Sequence, residues 1–117
     1  MAGRLRIGVN NMSRREKIEK MLQEEPSDRF LRYSLAMEFR KEESHERSLE
    51  LFDELTSESP AYVPAFLMAG QQCVQIGQIE RARSYLRDGI ESARSQADHH
   101  AAAEMAELLS QLGAAGE

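Results

Sequence analysis

A chain whose small and bulky apolar residues recur at one long fixed offset can fold in few ways. At an offset of 34, Leu35, Ala36, Phe39, Ser48, Phe52 and Leu55 map onto Ala69, Gly70, Cys73, Ala82, Leu86 and Gly89. Each pair agrees in size or apolar character, apart from the small-for-large exchange at Leu55 and Gly89. Within each copy the spacings are those of one helix face and then another. Each copy therefore reads as two helices with a polar break between them. Such a pair cannot bury its apolar face alone and must stack on a neighbour.

Caps and breakers divide the chain around these copies. Ser13 and Glu16 have the spacing of a capping box, Ile18, Met21 and Leu22 form a short stripe, and Pro26 ends that helix. Ser27 or Asp28 caps a second helix with apolar positions Phe30, Leu31, Leu35, Ala36 and Phe39. After "RKEES", Ser44 caps a third, with Leu49, Phe52 and Leu55 inward and Glu50, Asp53 and Glu54 toward water. Pro60 lies past its end. A fourth begins near Tyr62, tolerates Pro64 in its first turn, and carries Phe66, Ala69, Gly70, Cys73 and Val74. Gly77 sits where a helix end favours positive φ. The fifth runs from Ile79 to about Ala93 with Ala82, Leu86, Gly89 and Ile90 inward. The sixth is expected from about Gln96 to Leu112, presents Ala101, Met105, Leu108, Leu109 and Leu112, and should stop at Gly113. Short connectors make neighbouring helices antiparallel. The expected class is all-α, a solenoid of helical hairpins.

Composition narrows the functional classes. Charged residues are 30% and hydrophobic ones 41%, a globular balance. No apolar run approaches the ~20 residues of a membrane span, so no membrane role is expected. "MAGRLRIGVNN" lacks the apolar core of an export signal. A single cysteine, Cys73, allows no internal disulfide and agrees with a reducing compartment. Both point to the cytoplasm. The net charge of −5 is split between a basic head and an acidic body. That body, and few aromatics among the basic residues, speak against nucleic acid as a partner.

The two copies, Leu35-Ala36-x2-Phe39 … Ser48-x3-Phe52 … Pro60 and Phe66-x2-Ala69-Gly70-x2-Cys73 … Ala82-x3-Leu86, resemble the tetratricopeptide repeat (TPR). Its pattern is W-x2-L-G-x2-Y … A-x3-F … P with a period of 34. The departures are Arg32 for the aromatic, Cys73 for the tyrosine and Arg94 for the proline; Arg94 implies that the fifth helix runs on. The offset also relates Phe52, Leu55 and Pro60 to Ile18, Met21 and Pro26. This gives a flexible arm over 1–12 and a TPR-like domain over 13–112. The domain comprises a half repeat over 13–26, repeats over 27–60 and 61–94 and a capping helix over 96–112, followed by a frayed tail over 113–117.

The resemblance implies a concave groove, lined by the first helix of each repeat, that takes a peptide or helix. From one repeat Phe30, Tyr33, Met37, Arg40 and Lys41 would line it. From the other, Leu67, Met68, Gln71, Val74 and Gln75 would. One branch of the family clamps chaperone carboxylates with Lys and Asn. Tyr33, Met37 and Met68 occupy those places, so such binding is not expected. The implied role is a non-catalytic interaction module or adaptor. The alternative is a homo-oligomer that uses the groove or the N-terminal helix as its interface. Asp98, His99, His100 and Glu104 are too few for a structural zinc site and read as a cap with solvated imidazoles. No metal, cofactor or catalytic constellation is expected, and Cys73 reads as buried and inert.

Overall fold

The computed structural model describes residues 12–116. Its regular structure among them is α1 (Arg14–Glu24), α2 (Arg29–Lys41), α3 (His45–Thr56), α4 (Val63–Gln75), α5 (Ile79–Ser95) and α6 (His99–Gly116). The expected arm, apart from Met12, lies outside the described residues.

The helix starts follow from local chemistry. Ser13 Oγ accepts from the Glu16 N–H at 3.1 Å, and Glu16 Oε1 accepts from the Ser13 N–H at 3.0 Å, completing the capping box. The two bonds hold the Glu16 carboxyl below its ordinary pKa, the backbone bond from Ser13 being the larger cause. Asp28 Oδ1 accepts from Leu31 N–H at 2.8 Å to start α2, and Asp98 Oδ1 from Ala101 N–H at 3.1 Å to start α6. Pro64 sits in the first turn of α4, where its missing N–H leaves no bond unmade.

One turn is used three times. It occupies 42–44, 76–78 and 96–98. In each, an N–H reaches back five residues to a carbonyl at 2.8 Å: Ser44 to Phe39, Gln78 to Cys73 and Asp98 to Ala93. The residue before that donor is left-handed: Glu43 (φ 63°), Gly77 (φ 80°) and Ala97 (φ 61°). This is the Schellman closure, which satisfies carbonyls left open at a helix end.

Two expectations for α6 need correction. The turn over 96–98 delays the helix to His99. Gly113 does not stop it, because positive φ among the described glycines is confined to Gly77. The helix continues to Gly116; alanines follow Gly113, and one helical glycine costs only about 1 kcal/mol. The extension of α5 through Arg94 to Ser95 is as the missing proline implied.

The chain divides into two compact units, Met1–Leu51 and Phe52–Glu117, with the boundary inside α3. In the first unit α1 packs on α2. Ile18, Leu35 and Phe39 form its core, with Leu22 and Leu51 against them. The Phe39 ring carries the Arg47 guanidinium 4.4 Å from its centroid and that of Arg15 at 5.7 Å. Arg14–Glu38 (3.1 Å) and Arg15–Glu42 (3.0 Å) tie α1 to α2 and to the turn after it at the surface, where solvent and salt screen such pairs.

In the second unit α4 packs on α5, α5 on α6, and α4 also touches α6. Two glycines permit this. A Cβ on Gly70 would lie 2.9 Å from Leu86 Cδ2, and one on Gly89 would lie 2.5 Å from Met105 Sδ and 2.6 Å from Phe66 Cβ. Gly89 is where α5 meets both neighbours, which explains its departure from Leu55. The buried face of α6 is Ala102, Met105 and Leu112; Ala101, Leu108 and Leu109 are half-buried. Cys73 is a buried free thiol whose pKa burial pushes up, the state of an inert packing residue.

Candidate functional surfaces

On α2 the stripe Leu35, Ala36 and Phe39 is buried. The helical period turns the expected binding residues away from it. Phe30, one of the residues expected to line the groove, is 63% exposed. Its ring centroid lies 6.5 Å from that of Tyr33, tilted by 30°. Tyr33, Met37 and Arg40 are half-buried and Lys41 is exposed. The structure therefore gathers these five on one helix of the first unit. On α4, in the second unit, Leu67, Met68, Gln71 and Val74 are half-buried and Gln75 is exposed. Their neighbours Phe66, Ala69, Gly70 and Cys73 are buried. Each helix thus has a packing face and a second, partly open face with exposed or half-buried apolar side chains.

Sequence reasoning missed a third surface. Within the second unit, the end of α3 and the length of α5 enclose an open cleft of about 620 Å³. Asp53, Arg81, Tyr85, Asp88, Glu91 and Ser92 are among its walls. The Tyr85 hydroxyl donates to Asp53 Oδ1, Arg81 lies 3.6 Å from Asp53 Oδ2, and the Arg81 guanidinium stands 5.9 Å from the Tyr85 ring centroid. Burial, and then the Asp53 carboxylate, push the Tyr85 phenol well above its ordinary pKa. The separation of 32 residues between Asp53 and Tyr85 belongs to no motif that the sequence displays.

His100 Nε2 and Glu104 Oε1 are 3.8 Å apart on the open side of α6, and Asp98 is engaged as a cap. Among the described residues no group of three or more His, Cys, Asp or Glu could hold a metal ion.

No family model matches the chain, and no curated protein matches it. Solved structures do. A tetratricopeptide repeat domain protein from Salinibacter ruber superposes with a TM-score of 0.67 at 28% identity, covering 75% of this chain and 98% of that one. The chain has a tetratricopeptide-like fold. A protein from Bordetella parapertussis, known from a solution structure, shares the fold with a TM-score of 0.73 at 22% identity, over 87% of this chain and 89% of that one. With the repeat bounds expected from the sequence, α2 and α4 would be the first helices of their hairpins, and α3 and α5 the second. The residues expected to bind lie on first helices, and the cleft lies along second helices. TPR-like folds generally serve protein–protein interaction, and here no helix among the described residues is long and apolar enough to cross a membrane.

Proposed function

We propose that this chain is a non-catalytic interaction module or assembly adaptor, working in the cytoplasm, that takes a peptide or helix of a protein partner on its first helices. Residues Phe30, Tyr33, Met37, Arg40 and Lys41 of α2 carry one part of that contact. Residues Leu67, Met68, Gln71, Val74 and Gln75 of α4 carry another. The observation that supports this most is Phe30, a large aromatic left 63% exposed beside Tyr33. Aromatic and methionine side chains that packing leaves over are enriched at protein interfaces. Tyr33→Ala combined with Met37→Ala tests the reading. The double variant should keep its helical circular dichroism and lose capture of the partner that the wild type retains from its host. Undiminished capture would remove α2 from the interface.

A second reading is self-association through α1, favoured by Met21, which is 46% exposed. Sedimentation velocity over a concentration series separates the two. A dimer abolished by Met21→Glu supports self-association, and a monomer at all concentrations excludes it.

A further inference from the structure

A single exposed methionine is ordinary, but the place of Met21 is not. At the 34-residue offset it corresponds to Leu55 on α3 and Gly89 on α5. Leu55 is fully buried, and a Cβ on Gly89 would meet Phe66 on one neighbouring helix and Met105 on another. On α5 this position lies where a helix packs on two sides at once. On α1, Ile18 one turn earlier is buried with Leu35 and Phe39, whereas Met21 is left 46% exposed. Among the described residues, the side of α1 that the repeat uses for a second neighbour is open.

The charges around Met21 point to what covers it. Glu16 belongs to the cap and Glu19 is taken by Arg15, while Arg14 is held by Glu38 and Arg15 also by Glu42. Exposed beside these stand Lys17 and Lys20 before Met21, and Glu24 and Glu25 after it. That order opposes the helix dipole, which favours carboxylates at the start and cations at the end; the last turn of α1 holds no basic residue. The pattern works against α1 as a lone helix, yet it is complementary to its own reverse. Lys17 and Glu24 lie about one turn from Met21 in opposite directions, on its side of the helix. If two copies of α1 cross antiparallel with Met21 at the two-fold axis, Lys17 of each copy meets Glu24 and Glu25 of the other. A parallel pairing would set like charges against each other.

We infer that the partner of α1 is α1 of a second copy, in an antiparallel two-fold pair centred on Met21. The inference rests on the second reading above, self-association through α1, and gives that contact its geometry. The two-fold supplies the self-complementary patch that a closed dimer requires. The paired methionines supply an adaptable apolar centre, and the lysine–glutamate pairs fix direction and register.

Sedimentation velocity of the full chain over a concentration series reads the dimer. Lys17→Glu should raise its Kd by about tenfold or more. Adding Glu24→Lys and Glu25→Lys to that variant should restore the Kd to within about threefold of wild type, because both members of each pair are then reversed. These changes move the charges in the direction the helix dipole favours, so α1 itself is not put at risk. In a glutathione redox buffer, Met21→Cys should form an interchain disulfide and Gln23→Cys, exposed on another side of α1, should not; Cys73 is buried and does not compete. Suppose Met21→Glu abolishes the dimer, but the triple variant fails to recover or the two cysteine variants cross-link equally. Either result would overturn the antiparallel geometry and leave self-association through α1 standing. A wild type that is monomeric at every concentration would overturn both.

Discussion

The α2–α3 and α4–α5 hairpins meet one set of demands with different chemistry. Where the helices of the first approach, Ala36 and Ser48 are fully buried, and Ser48 Oγ donates to Ala36 O at 2.6 Å. In the second, Gly70 and Ala82 hold those places and closeness replaces the hydrogen bond, with Leu86 against the bare glycine. The first turn puts Glu43 in the left-handed region and the second puts Gly77 there. At the third matched position the demands themselves differ. Leu55 fills a buried space, whereas Gly89 opens one for Phe66 and Met105. A 34-residue offset thus records backbone geometry, and side-chain identity follows from how many neighbours each helix must admit.

The sharpest way to break this comparison is at the third position. Leu55→Ala should cost about 2–5 kcal/mol through lost burial and the cavity left behind. Gly89→Ala should cost about 1–3 kcal/mol through overpacking, because the Phe66 Cβ it would strike is fixed to the α4 backbone. Urea denaturation measures both, and a neutral Gly89→Ala would refute the close approach. Next is Ser48→Ala, expected to lose about 1 kcal/mol with its hydrogen bond; no loss would mean that small size alone suffices there. The turns give a smaller effect of opposite sign. Glu43→Gly should stabilise by about 0.5–1 kcal/mol in thermal melts, and Gly77→Ala should destabilise by about 1 kcal/mol. Equal responses at the two sites would show that the turns are not equivalent.

The smallest effect concerns the capping box of α1. The folded pKa of Glu16 is lowered, so its contribution is present above the unfolded value, near ~4.3, and is lost as pH falls through the folded value. Glu16→Gln should remove that part of the acid dependence and leave neutral-pH melting little changed. An unaltered stability–pH profile would show that the cap is too exposed to matter.

Much of this was legible in the residues. The capping box, Asp28, Pro64 and the run-on of α5 past Arg94 follow from local chemistry, and the buried stripes from the helical period. Phe30 stood both among the apolar positions of its helix and among the groove residues, because a period of 3.6 places residues by angle and does not say where the packing face ends. Gly113 misled because glycine permits a left-handed stop without requiring one. The cleft was invisible for a deeper reason. Asp53, Asp88 and Glu91 are polar residues on faces that ought to be polar, and only the spacing of two helices far apart in sequence makes them walls.

The three equal turns have a consequence for how such a chain can vary. A joint closed by Glu43, Gly77 or Ala97 with the same 2.8 Å bond writes almost nothing of itself into the letters. What must be inherited is a length between helices and a direction of return. Two descendants of one ancestor can therefore keep every bend of the backbone while their alignments dissolve at those bends.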